Sequence, residues 1–173
     1  MLVVVCGLPG AGKTTVAGDV VDRLDAVRIR TDVVRKDLFD DPEYSEAETD
    51  AVYRTVVDRA DAVLDDGEHV VLDGTFRERA FRTPAYAVAR DHGVDCAVLK
   101  VEADDAVVRE RIRKREGDAS DADVSIYEQY RDRFEPVARD HVVVDNSGTL
   151  AATRDQVARA LADATPATLA RDA

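Results

Sequence analysis

Gly7-Leu8-Pro9-Gly10-Ala11-Gly12-Lys13-Thr14 is the stretch that decides the architecture of this chain. Three glycines within six positions let the backbone turn so that successive N–H groups point inward and form a nest for phosphate oxygens. The eight residues fit G-x-x-x-x-G-K-[ST]. Their context agrees, because the apolar run Leu2 to Cys6 precedes them and a helical pattern from Lys13 to Leu24 follows. A helix beginning at Lys13 adds the positive end of its dipole to the nest. In such a loop Gly7, Pro9, Gly10, Ala11 and Gly12 cradle the phosphates of ATP. Lys13 bridges the β- and γ-phosphates, the Thr14 hydroxyl ligates Mg2+, and Thr15 lies near the α-phosphate.

Outward from the loop, β-branched runs alternate with helix-like stretches. Leu2 to Cys6, Ala26 to Arg30, His69 to Leu72, Cys96 to Val101 and His141 to Val144 read as five strands. Helical patterns cover Lys13 to Leu24, about Glu46 to Asp66, Arg77 to His92, Asp104 to Arg115, Val124 to Phe134 and Leu150 to Asp163. Strand–helix alternation implies an α/β fold, a parallel sheet with helices on both faces. The near-continuous valine runs suit strands buried on both sides. One domain over residues 1–165 is expected, with 166–173 a small, polar tail that frays.

The composition sets limits. A chain of 173 residues with 45% hydrophobic content suits one α/β core. With 5% aromatics and no Trp, that core is mostly Val, Leu, Ile and Ala. No apolar run approaches the ~20 residues of a membrane span, and the start lacks the marks of a signal peptide, so a cytoplasmic location is expected. Cys6 and Cys96 fall inside strand-like runs and read as buried free thiols. The net charge is −12, with four lysines (Lys13, Lys36, Lys100, Lys114) against twenty arginines. Such an excess of carboxylates fits a halophilic habitat or a merely acidic protein from a GC-rich genome. Either way the global field opposes long-range attraction of nucleic acid.

Three acids follow three strands directly: Asp32, Asp73 and Asp145. In a parallel sheet all carboxyl ends share one edge, where the glycine loop also sits and ligands bind. Asp32 is therefore placed to accept a proton from an acceptor hydroxyl, with Arg35 on the following helix facing the same way. A helix cap by Thr31 or Asp32 would also explain an acid here. Asp73, ending an apolar strand, has the Walker B pattern and could hold Mg2+, or orient Arg35 or the substrate. Asp145 lies in Asp145-Asn146-Ser147-Gly148, mostly a turn, with a secondary possibility of lining the base pocket. Arg109, Arg111, Arg113, Lys114 and Arg115 close a helix opened by Asp104 and Asp105, an arrangement the helix dipole explains. They also precede the loose polar stretch Glu116 to Asp121, which suits an arginine-rich lid.

Gly7 to Thr15, Thr31-Asp32-Val33-Val34-Arg35-Lys36, Val71-Leu72-Asp73-Gly74-Thr75-Phe76, Arg111 to Arg115, Ser120-Asp121-Ala122 and Phe134-Glu135-Pro136 occur in one order. In that order they resemble the AAA_33-type P-loop kinases. That group includes the kinase domain of polynucleotide 5′-hydroxyl kinase and is related to gluconate kinase, chloramphenicol phosphotransferase and zeta-toxin kinases. The resemblance implies a three-layer P-loop NTPase fold, Mg-ATP, Asp32 as general base and Arg35 as a substrate-side arginine. It puts Asp73 on the second acid, Arg115 on the lid arginine touching the phosphates, and Arg111 on the position covering the base. The expected activity is transfer of the γ-phosphoryl of ATP to a hydroxyl. The alternative is a regulatory ATPase switch without an acceptor. Residues from about Phe39 to Tyr53 are expected to form the acceptor wall. The acidic surface and a lack of aromatic stacking platforms disfavour a long strand and favour a small sugar, nucleoside or antibiotic alcohol. Oligomeric state is not indicated.

Overall fold

Each β-branched run becomes a strand and each amphipathic stretch a helix. The computed structural model describes residues 1–114 and 124–164. The strands are β1 (Leu2–Gly7), β2 (Val27–Arg30), β3 (Val70–Asp73), β4 (Cys96–Glu102) and β5 (Val142–Asp145). The helices are α1 (Lys13–Leu24), α2 (Thr31–Leu38), α3 (Glu46–Asp65), α4 (Arg79–Asp91), α5 (Asp105–Arg113), α6 (Val124–Arg133) and α7 (Leu150–Ala164). The expected tail, Arg115 and the polar stretch after it lie outside the described residues.

All strand pairs are parallel, in the order β2-β3-β1-β4-β5. β1 is central, and all six of its residues are buried. Its two-residue period sorts the layers. Leu2, Val4 and Cys6 join Val52 and Val56 of α3 and Ala85 and Ala89 of α4 in one core. Val3 and Val5 join Val16 and Val20 of α1 and Val157 and Leu161 of α7 in the other. The result is a three-layer α/β/α sandwich. Burial on both faces, expected of every strand, holds for β1 and β3 but not for the edge strand β5. There α7 covers one face, Val144 is buried, and Val142 and Val143 are exposed.

The helices after β1 and β3 go to opposite faces, α1 to one and α4 to the other. The crevice beyond the carboxyl ends of these neighbouring strands is the topological switch point where ligands bind in such sheets. Register fixes what lies beside it. Asp73 is opposite Val5 of β1 on one side and Arg30 of β2 on the other.

Two local structures position the surroundings. Ser45 caps α3 by accepting from the Glu48 amide at 3.3 Å. The Glu48 carboxylate meanwhile accepts from the amides of Glu43 and Tyr44 at 3.0 and 2.7 Å. On α4, Arg82 is only 1% exposed. Its guanidinium donates to the carbonyls of Phe76, Arg77, Glu135 and Pro136 at 2.7–3.2 Å, tying the β3–α4 loop to the segment after α6.

Candidate active site

The glycine loop adopts the expected nest. Gly7, Gly10 and Gly12 all have positive φ, at 143°, 79° and 94°. All three are also constrained by close approach, Gly7 by the Val101 carbonyl, which a Cβ would overlap. A Cβ on Gly10 would press into Val108 and Ile112 of α5, at 2.8 and 2.9 Å. A Cβ on Gly12 would overlap Nδ2 of Asn146. Lys13 Nζ donates to the carbonyl of Leu8 at 3.0 Å, which curls the ammonium over its own loop.

Asn146, in the turn after β5, belongs to the loop's support. It is 5% exposed, and its Nδ2 donates to the Ala11 carbonyl at 2.9 Å while its Oδ1 accepts from Thr153 at 2.8 Å. Arg111 reaches the same place from α5, donating to the carbonyls of Asn146 at 2.8 Å and Ala11 at 3.4 Å. The turn expected at Asp145-Asn146-Ser147-Gly148 is present. The Asp145 carboxylate accepts from the Ser147 side chain and from the Ser147 amide in an Asx turn, which hold its pKa below the usual range, while its neighbour Asn146 braces the glycine loop.

Asp32 is not a helix cap, and neither is Thr31. Arg30 is the N-cap of α2, extended at φ −102° and ψ 129°, with no side chain capping the helix. Asp32 sits within the first turn, where the helix dipole favours a carboxylate, and it lines the main cavity. Arg35 is 8% exposed and bonded to Glu48 at 3.3 Å and Thr49 at 3.2 Å. The expectation that Asp73 orients Arg35 is thereby corrected. Asp73, 5% exposed, pairs with Arg28 at 2.5 Å and Arg30 at 3.7 Å. Arg28 also donates to the Thr14 carbonyl at 3.1 Å, so one guanidinium links Asp73 at the end of β3 to the start of α1.

Along the arginine-rich helix only Arg111 lines the cavity among the described residues. Arg109 pairs with Asp105 and Glu128, and Lys114 with Glu110, as ordinary surface ion pairs. Arg115 lies outside the described residues.

One cavity of about 500 Å³ gathers Pro9, Gly10, Gly12, Lys13, Thr14 and Thr15 with Asp32, Arg35, Asp73 and Arg111. Gly7 and Ala11 lie behind the loop, along a second hollow of about 300 Å³. The far end of the main cavity holds Tyr44, Thr49 and Tyr53 from the expected acceptor wall. It also holds residues that the sequence reading missed: Arg77, Phe81, Ile126 and Tyr130. The presumed lack of aromatic platforms is corrected by Tyr44, Tyr53, Phe81 and Tyr130, four of the chain's nine aromatic residues.

Thr14 is exposed toward the cavity and Asp73 lines it. These two residues would hold Mg2+, an ion bound largely through substrate phosphates and water. The described residues contain no cluster of three or more His, Cys, Asp or Glu arranged for a metal. No helix among them is long and apolar enough to cross a membrane.

A parallel sheet in this order, with a glycine cradle at its switch point, defines a P-loop kinase fold. The chain belongs to the AAA_33 family, described as an AAA domain, whose family model matches residues 2–137. Several solved structures share the fold. A sugar kinase from Janibacter sp. HTCC2649 is 21% identical, with a TM-score of 0.73 and 96% of each chain covered. A gluconokinase from Sinorhizobium meliloti 1021 is 19% identical at a TM-score of 0.72, covering 94% of this chain and 91% of that one. The APS kinase of Mycobacterium tuberculosis, in complex with AMPPNP and APS, is 20% identical at a TM-score of 0.70, covering 93% and 96%. Among curated proteins, the uncharacterized protein Rv2004c of Mycobacterium tuberculosis is 34% identical over 137 residues. That match covers 72% of this chain, and the chain spans about 28% of the relative's length.

Proposed function

We propose that this protein transfers the γ-phosphoryl of Mg-ATP to a hydroxyl of a small acceptor, with Asp32 as general base. The observation that carries the reading is a single cavity lined by the glycine loop, Lys13, Thr14 and Asp32. The likeness to kinase structures is consistent with it.

In this reading the loop amides and the start of α1 hold the phosphates, and Lys13 exchanges the Leu8 carbonyl for phosphate oxygens. Mg2+, when bound, supplies charge neutralisation at those oxygens. Asp32 accepts the acceptor's proton as its oxygen forms a bond to the γ-phosphorus. The bond from that phosphorus to the β–γ bridging oxygen breaks, and ADP leaves with the electron pair. Arg35 holds the acceptor, Arg111 braces the loop from the nucleotide side, and Arg115 is assigned to the transferring phosphoryl by resemblance alone.

The test is ADP release at high KCl with gluconate, nucleosides, nucleoside monophosphates and 5′-hydroxyl oligonucleotides. Acceptor-dependent turnover is expected, and Asp32→Asn lowers kcat by about 10²-fold or more while AMPPNP affinity is unchanged. Rapid ATP turnover indifferent to every acceptor favours a switch ATPase instead, and full acceptor-dependent activity of the Asp32→Asn protein removes the proposed base.

A further inference from the structure

Arg77 has no part in the reading above, yet the backbone is bent to present it. The residue before it, Phe76, is in the left-handed region at φ 46°, a conformation disfavoured for a bulky side chain and commonly held at functional sites. Its ring is fully buried, its amide donates to Tyr53 Oη at 3.0 Å, and its carbonyl accepts from Arg82 at 2.7 Å. The Arg77 carbonyl is pinned as well, by Arg82 at 3.2 Å and the Glu135 amide at 2.9 Å. With Phe76 driven into the core, the next side chain emerges at the far end of the main cavity. There the Arg77 guanidinium lies 4.5 Å from the ring centroid of Tyr130 and pairs with Glu78 at 2.8 Å, at the rim.

Beside it, Phe81 stacks on Tyr53 with centroids 4.1 Å apart and planes within 6°. The far end therefore combines a guanidinium held on an aromatic face with a stacked aromatic wall. Guanidinium binds phosphate and carboxylate through paired N–H groups. Aromatic walls recognise flat rings through stacking, whatever the ring's pattern of hydrogen-bonding groups. A simple sugar alcohol uses neither feature.

Resting on the phosphotransfer reading, we propose that the acceptor is a ring-bearing anion. Its flat ring packs on Phe81, which Tyr53 backs, and beside Tyr130, and its phosphate or carboxylate is bound by Arg77, which sets specificity. The ion pair with Glu78 is exposed enough to open at little cost and give a donor edge to the ligand.

The experiment measures binding, by tyrosine fluorescence and calorimetry, to the full chain saturated with AMPPNP. The probes are uridine 5′-monophosphate, 4-(hydroxymethyl)benzoate, uridine and gluconate. Saturation with AMPPNP keeps the mononucleotide out of the glycine loop. At least one of the two ring-bearing anions is expected to bind about tenfold or more tightly than both uridine and gluconate, and the better one tells phosphate from carboxylate. Arg77→Gln removes the advantage over uridine while uridine and AMPPNP affinities stay within about twofold, and Arg77→Lys restores part of it. Tyr130→Leu weakens every ring-bearing probe and leaves gluconate unchanged. Equal or tighter binding of gluconate or uridine overturns the proposal, as does an unchanged ratio to uridine in Arg77→Gln or no binding of either ring-bearing anion at millimolar concentration. If Arg77→Gln does not fold, the comparison of probes on the unaltered protein decides alone. If a ring-bearing anion binds in this way but no acceptor stimulates ADP release from ATP, the catalytic reading falls and the far end of the cavity remains a binding site for such an anion.

Discussion

Gly12→Ala and Asn146→Ala should be strongly coupled, because the methyl group of one and the side chain of the other cannot occupy the same space. Asn146→Ala alone removes a donor to the Ala11 carbonyl and an acceptor for Thr153, both in buried surroundings. Arg111 Nη1, at 3.4 Å, still reaches Ala11, so the expected cost is about 2–3 kcal/mol, near the lower bound for two broken buried bonds. Gly12→Ala carries a backbone term of about 1–2 kcal/mol for a non-glycine residue held at φ 94°. It also forces Asn146 out of its seat, so its total reaches about 3–5 kcal/mol, the Asn146 loss included. In the double variant Asn146 is already gone, and only the backbone term is added. The double variant should therefore resemble Gly12→Ala alone, with a coupling energy of about 2–3 kcal/mol. Urea unfolding of the four proteins, monitored by circular dichroism, measures the cycle. Costs that add to within about 0.5 kcal/mol would refute the reasoning, since they would mean that Asn146 does not fill the space facing Gly12.

Arg82→Met takes the donor from the carbonyls of Phe76, Glu135 and Pro136, while that of Arg77 keeps the Glu135 amide, and should lower stability by about 3 kcal/mol or more; Arg82→Lys should lose less, and a methionine variant within about 1 kcal/mol of the parent in urea contradicts the assignment. Arg28→Met removes the nearest guanidinium from Asp73, so the Mg2+ concentration giving half-maximal ADP release should fall while the urea midpoint drops; an unchanged Mg2+ requirement would separate Asp73 from the metal. Burial raises the Cys6 thiol to about 11 from an ordinary value of 9.0. Below pH 9 both folded and unfolded chains keep this proton, and above it the unfolded chain loses it first, so Cys6 contributes a fall in stability of about 2–3 kcal/mol between pH 9 and 11. Cys6→Ala should show a shallower alkaline decline in urea titrations, and an identical slope would exclude the contribution.

The sheet was legible because its signal is local. Apolar runs ending at Cys6, Arg30, Leu72, Val101 and Val144 mark the strands to within one residue of their observed ends. Chain order then places the acids on one edge. The short helix Thr31–Leu38 was implied only by the facing of Asp32 and Arg35. Its first turn carries no capping side chain, so no cap residue announces it. Asn146 and Arg77 were not legible as site residues, for a different reason. The role of Asn146 depends on meeting Ala11, 135 positions away. That of Arg77 depends on a left-handed Phe76 that no residue preference predicts. A glycine at position 76 would have signalled the turn; a phenylalanine held by Tyr53 and Arg82 does not.

The arginines expose the limit of reading charge by its density along the chain. The cluster from Arg109 to Arg115 drew attention as the most cationic stretch, yet Arg109 is engaged in surface pairs and only Arg111 of its described members lines the cavity. The guanidinium groups of the site come from β2, α2, the β3–α4 loop and α5, one or two from each. Arg28 is held by Asp73, Arg35 by Glu48 and Arg77 by Glu78, whereas Arg111 is held by carbonyls. A chain of net charge −12 can thus keep a locally cationic cavity, because each carboxylate fixes the direction of a guanidinium without occupying all its donors. The range of the two fields then selects the ligand. Within a Debye length of about 8 Å the cavity's own donors dominate for an anion small enough to enter. A long polyanion must lay most of its charges against the acidic exterior, where repulsion grows with its length. The same arrangement that admits a single phosphate or carboxylate beside Arg77 therefore works against an extended strand.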